Sequence, residues 1–158
     1  MSTPEFILSL REKIGTEMLW LSGVTAVVLN PAGQVLLVRR ADTGAWTPVT
    51  GIIDPGEEPA VAAVREVREE TGMRATAEQL VWVHTLPPMQ YPNGDNSQYL
   101  DIVFRCSSPG GDPYPADGEN TEAGWFDTSA LPPMSQEMRD RLRSALDAHP
   151  AAPTRFES

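Results

Sequence analysis

The chain has 158 residues and a mass of 17.3 kDa, room for one domain with its own core but not for two. Charged residues at 22% and apolar residues at 41% match ordinary folded proteins, which excludes a disordered acidic tail and a fibrous repeat. With 12 Lys and Arg against 22 Asp and Glu the formal charge is −10, so the chain lacks the basic surplus that long nucleic acids or anionic lipids require; a small phosphate compound stays possible where cations sit in the site.

Taken in chain order, Leu8 to Ile14 predicts a short helix ended by Gly15, and Met18 to Leu21 a strand or packing arm. Val24 to Leu29 and Val35 to Val38 flank Asn30-Pro31-Ala32-Gly33 and predict a hairpin. Ala41 to Pro59, punctuated by Gly and Pro around Ile52 and Ile53, predicts an ordered loop with a short strand inside it. Ala60 to Thr71 holds no Gly or Pro and lies between Pro59 and Gly72, the asymmetry expected of a helix. Leu80 to Thr85, Tyr99 to Arg105 and Gly124 to Phe126 predict strands, and Ser135 to Ala148 a final amphipathic helix. Turn-rich stretches lie at Pro87 to Asp95 and Pro109 to Asn120. The pattern is a layered α/β (α+β) domain over residues 22–150, preceded by an N-terminal helix and arm over 1–21 and followed by a tail over 151–158.

The single cysteine, Cys106, cannot form an intramolecular disulfide and suits a small core position in a reducing cytoplasm. No run of some 18 apolar residues exists, and the N-terminus carries Glu5, Arg11, Glu12 and Lys13, so neither a membrane span nor a secretory signal is expected. The expected location is cytoplasmic.

At about 100° per residue, Ala60, Val64, Val67 and Thr71 share one stripe of the helix, the face expected to be buried. Glu66, Glu69 and Glu70 fall at i, i+3 and i+4, roughly 140° round. Like charges so spaced oppose the helix by about 0.2–0.5 kcal/mol per pair unless something positive sits beside them. Two readings meet that need: a solvated charged face with Arg65 and Arg68 as local partners, or a hard divalent cation, Mg²⁺ or Mn²⁺, which prefers carboxylate oxygens and shares its shell with substrate phosphates.

Gly51, Glu57, Arg65-Glu66-Val67, Glu69-Glu70 and Gly72-Met73 stand at the spacings of the Nudix box, and the chain resembles a Nudix hydrolase. Trp46 and Pro48 before the box and Trp125-Phe126 after it extend the likeness over residues 22–148. The resemblance implies a Nudix-type α/β/α sandwich, a mixed sheet between helices, with the box forming loop, helix and loop. One departure lies at Val49 and Thr50, where many members carry Gly-Gly; glycine permits a positive φ that Val and Thr resist.

What the resemblance implies for roles is specific. Glu66, Glu69 and Glu70 become metal ligands and Glu57 a further carboxylate, while Arg65 pairs with a box glutamate, Glu57. Gly51 and Gly72 are backbone positions, one for close approach and one ending the helix. The implied reaction is hydrolysis of a nucleoside diphosphate linked to another group, by water attacking one phosphorus, with no protein nucleophile. Glu119, in the acidic loop before Trp125, resembles an additional acidic residue that some members use as base, with Glu122 and Glu66 as competitors. Arg39 and Arg40 are either phosphate-binding charges or edge-strand arginines, and Trp46 and Tyr91 either stack on a base or pack.

Pro88 and Tyr91 lie fifteen and eighteen positions past Met73, where members acting on ADP-ribose and on dinucleoside polyphosphates carry those residues, so both substrates stay open beside a nucleoside triphosphate. The alternative function is a catalytically weak Nudix domain serving as a nucleotide-binding module, or as an interaction module that dimerises through the Phe6 to Leu21 arm.

Overall fold

The computed structural model describes residues 3–158. In chain order the elements are α1 (Glu5–Ile14), β1 (Leu19–Leu29), β2 (Val35–Arg40), β3 (Trp46–Thr47), β4 (Val49–Ile52), α2 (Pro59–Thr71), β5 (Thr76–Thr85), β6 (Met89–Gln90), β7 (Asn96–Ser107), β8 (Asn120–Phe126), α3 (Gln136–Leu146) and β9 (Arg155–Phe156). The helices end where local chemistry dictates. Gly15 takes φ +62° after α1, and Gly72 takes the left-handed conformation after α2, its N–H donating to the Arg68 carbonyl. Ser135 caps α3 by accepting from the Met138 amide at 3.2 Å.

Eleven residues of β1 run unbroken, so the predicted arm at Met18 to Leu21 and the strand from Val24 belong to one element, and residues 21 and 22 lie inside it. β1 pairs in parallel with β7 along its whole length. Its other edge is shared, with β4 opposite Gly23 to Ala26 and β2 only at Leu29↔Val35. The predicted hairpin therefore exists as a turn, closed by the Asn30 amide on the Gln34 carbonyl, but barely as a ladder. The competing partner explains this. Once β4 occupies the edge of β1, β2 pairs instead with β3 and β8.

The sheet runs β3-β2-β1-β7-β5-β9, with β4, β6 and β8 attached beside β1, β7 and β2. Parallel pairs (β1·β7 and β5·β9) combine with antiparallel ones into the expected mixed sheet. Side chains alternate between its faces. Val24, Ala26, Val28, Leu36, Val38, Phe104 and Cys106 pack with Ala62, Ala63 and Val67 of α2, while Val27, Val35, Leu37 and Val103 pack with Leu142 and Ala145 of α3. The result is the α/β/α sandwich. Val49 and Thr50 lie extended opposite Ala26 and Thr25, and among the described residues no non-glycine has a positive φ, so the departure from Gly-Gly leaves no backbone strain.

The tail is partly structured. Arg155 and Phe156 pair with Trp82 and Val83, the Arg155 guanidinium lies 4.0 Å over the Trp82 ring, and the Trp82 indole donates to Glu157 at 3.1 Å.

Candidate active site

The stripe predicted to be buried on α2 is displaced. Ala60 and Val64 are only half-buried and Val61 is exposed, whereas Ala62, Ala63, Glu66, Val67, Glu70 and Thr71 are buried. By the same 100° arithmetic the buried arc centres near Glu70, about 80° from the predicted stripe. Two small alanines let the helix lie close to the sheet on that side, and two carboxylates go in with them. Glu66 is 0% and Glu70 1% exposed, while Glu69 stays on the rim.

Burial has a large electrostatic consequence. Desolvation pushes the Glu66 carboxyl up to about 7 against the pull of Arg65, and the Glu70 carboxyl up to about 8, with the Glu66 charge adding to it. Arg65 is the hub of the box. Its Nε and Nη2 donate to the two oxygens of Glu57 at 2.7 and 2.9 Å, and its Nη1 donates to Glu66 at 2.8 Å and to Glu69 at 3.2 Å. Nη2 also donates to the Ile52 carbonyl at 3.1 Å, tying helix to strand. The paired guanidinium holds Glu57 below the usual carboxylate range.

Gly51 sits on β4 opposite Val24, facing α2. A Cβ there would stand 2.2 Å from Glu66 Cδ, so glycine is required by the carboxylate packed against it and not by a special φ. Gly72 combines both reasons: φ is +72°, and a Cβ would meet the Tyr114 ring at 2.4 Å.

Tyr114 belongs to a segment that crosses the C-terminal end of α2. The Tyr114 amide donates to the Thr71 carbonyl and the Ala116 amide to the Glu70 carbonyl, and the Trp125 indole donates to Gly111. This segment leads into Asn120, whose Nδ2 donates to Glu70 Oε2 at 3.1 Å in a fully buried contact. Neither Tyr114 nor Asn120 was expected from sequence. The turn-rich composition marks the segment as a loop, but nothing local says which helix it will cross.

The other candidates separate by sheet face. Arg40 lies on the α2 face and chelates Asp42 through Nε and Nη2 at 3.0 Å each, a pairing that raises its pKa, with the Glu70 charge adding a smaller part. Arg39, one residue away, points to the opposite face and pairs with Glu122 at 2.9 Å. Trp46 lies on that face too, edge-on to Phe126 at 4.9 Å. Tyr91 shares a hydroxyl contact of 2.7 Å with Tyr99. Glu119 adjoins Asn120; its carbonyl accepts from the Ala41 amide and its own amide donates to Asp117.

Among the described residues no three His, Cys, Asp or Glu side chains gather as a ready metal cage, because Arg65 sits among Glu57, Glu66 and Glu69. The donor set nevertheless fits a hard cation. Glu66 Oε2 and Glu70 Oε1 are buried without a hydrogen-bond partner, and buried carboxylate oxygens left so are costly unless a cation or water meets them.

Comparison with known proteins agrees with this geometry. A family model described as the NUDIX domain matches residues 20–147. A "MutT-like protein" of Streptomyces ambofaciens is 33% identical over 125 residues, 78% of this chain and 75% of the relative. A "putative 8-oxo-dGTP diphosphatase" of Bacillus subtilis is 38% identical over 116 residues, 72% of this chain and 71% of the relative. Among solved structures, an ADP-ribose pyrophosphatase of Streptococcus suis superposes with a TM-score of 0.68 at 23% identity, covering 87% of this chain and 98% of that one. The carboxylate-rich box, the sandwich that buries two of its glutamates and the family match across most of the chain agree: the protein belongs to the NUDIX domain family and is a Nudix hydrolase.

Proposed function

We propose that the protein hydrolyses the pyrophosphate bond of a small nucleoside diphosphate derivative, ADP-ribose-like or nucleoside triphosphate-like, with Mg²⁺ or Mn²⁺ held by Glu66, Glu70 and Glu69. One observation carries the reading: two fully buried glutamates on the box helix each present an oxygen that no protein group satisfies. Such a pair persists when something cationic completes it. When bound, the cation neutralises phosphate charge and acidifies water, the two requirements of pyrophosphate hydrolysis.

The chain's own residues do the rest. Arg65 orients Glu57, Glu66 and Glu69 at once, so the box loop and helix move as a unit. Water attacks one phosphorus, the bridging P–O bond breaks, and the products are a nucleoside monophosphate and the other fragment, which keeps the second phosphate: a phosphorylated sugar from an ADP-ribose-like substrate, pyrophosphate from a nucleoside triphosphate. Glu66 or Glu119 takes the proton, and Arg40 supplies a fixed positive charge on the same face as the box. Substrate names attached to the relatives, 8-oxo-dGTP and ADP-ribose, both contain the required phosphoanhydride.

The test is a panel of ADP-ribose, dinucleoside polyphosphates, nucleotide sugars and dNTPs, with and without Mg²⁺ or Mn²⁺. We expect metal-dependent release of a nucleoside monophosphate and a loss of ~10²-fold or more in Glu66→Gln. Full activity in Glu66→Gln, or no metal-dependent turnover anywhere in the panel, overturns the proposal.

A further inference from the structure

A β-bulge delivers Asn120 to the box. Down β8 the register with β2 is regular: Phe126 opposes Val35, Trp125 opposes Leu36, Ala123 opposes Val38 and Glu122 opposes Arg39. Ala123 and Trp125 face α2, and Phe126 faces α3. Continued alternation would send Thr121 toward α2 and Asn120 away from it. The register instead slips between Arg39 and Arg40, so Arg40 opposes Asn120 and Thr121 is left without a partner in the ladder. A slip of one residue exchanges the two faces. Thr121 becomes exposed, and Asn120, 4% exposed, turns toward α2 and meets Glu70.

The approach is fixed from both sides. The Ala116 amide grips the backbone of Glu70 while Asn120 holds its side chain, so the segment from Tyr114 to Asn120 clasps one glutamate twice. The Asn120 amide group has one bond, to Glu70 Oε2, and its own Oδ1 is buried and unpartnered, as is the remaining Glu70 oxygen, Oε1. A carboxamide that donates to one carboxylate oxygen restricts rotation of the carboxylate and leaves its other oxygen free for a cation. Outer partners of this kind typically contribute 10- to 100-fold in metal affinity.

We propose that Asn120 is a positioning residue that orients Glu70 for the divalent cation. This rests on the metal-dependent reading above, and its test separates the two. Mn²⁺ is titrated calorimetrically into wild-type protein, Asn120→Ala, Glu70→Gln and the double variant. Asn120→Ala is expected to bind about 10-fold more weakly at unchanged stoichiometry, whereas a merely unfolding variant loses stoichiometry and not affinity. In the Glu70→Gln background, adding Asn120→Ala is expected to change Kd by less than about twofold, because its effect passes through Glu70. Should Asn120→Ala fail to fold, Asn120→Ser, which keeps a shorter donor, is read the same way, with a Kd weaker than wild type expected.

Wild-type affinity in the Asn120 variant, or a loss of full size in the Glu70→Gln background, overturns the positioning role while leaving the metal reading intact. A wild-type protein that binds no Mn²⁺ overturns both.

Discussion

Gly51 shows how an absent side chain can be a functional requirement. Because Glu66 Cδ lies where its Cβ would be, Gly51→Ala must push the carboxylate off the position Arg65 holds it in. We expect a loss of about 1–3 kcal/mol in urea unfolding together with a fall in metal-dependent turnover; unchanged values in both would refute the close approach. The buried glutamates carry a second consequence at this scale. Their carboxyls are raised from the ordinary 4.5 to about 7 and about 8, so the folded state binds these protons more tightly than the unfolded chain does. Their contribution to stability is complete below the ordinary value and disappears as pH rises through 7 and 8. In EDTA, Tm should fall between pH 5 and pH 8.5, and Mn²⁺ should restore it most at the alkaline end. A Tm that climbs over that interval in EDTA would contradict the burial of this pair.

Among the elements, α2 and α3 are held to the sheet by different physics. α2 packs through Ala62, Ala63 and Val67 and tucks in carboxylates; α3 brings a buried arginine to a buried acid. Arg141 Nε lies 3.4 Å from Asp101, its Nη1 donates to Thr25 at 3.3 Å, and its Nη2 donates to Glu137. Asp101 is met from two further sides, by Thr25 at 2.8 Å and by His84 at 2.7 Å. Removing Arg141 leaves a carboxylate in the interior with its full cation gone. Arg141→Met should lower stability by about 3 kcal/mol in urea unfolding, and adding Asp101→Asn should recover part of it; strictly additive losses would argue against a coupled pair.

For the whole molecule, the charge of −10 now has a partial location, since Glu57, Glu66, Glu69 and Glu70 cluster on one face of the sheet. On the proposed metal-dependent reading, a bound divalent cation would offset part of that negative potential locally. Among the described residues no helix is long and apolar enough to cross a membrane. The opposite edge of the sheet is closed by the last residues, where Arg155 and Glu157 flank Trp82. Ending the chain at Pro153 should cost about 1–2 kcal/mol and shift tryptophan emission to the red, with turnover unchanged because the box lies on other strands. A large fall in kcat would show that the tail reaches the site.

What the sequence determined by itself was everything that depends on spacing along one chain. Helix boundaries followed from Pro59, Gly72 and Gly15, and the box followed from carboxylates, Arg65 and glycines at fixed intervals. The mixed sandwich was legible through the same likeness. Only the tertiary structure decided which way α2 turns, because the 3.6-residue period allows several stripes and the apolar one at Val64 competes with the alanine face that admits Glu66 and Glu70. It alone also decided that β2 abandons the hairpin for β8, and that a one-residue bulge at Thr121 swaps faces to bring Asn120 into contact with the buried carboxylate. Pairing register and helix rotation are set by competition among distant partners, and that competition leaves no local trace in residue order.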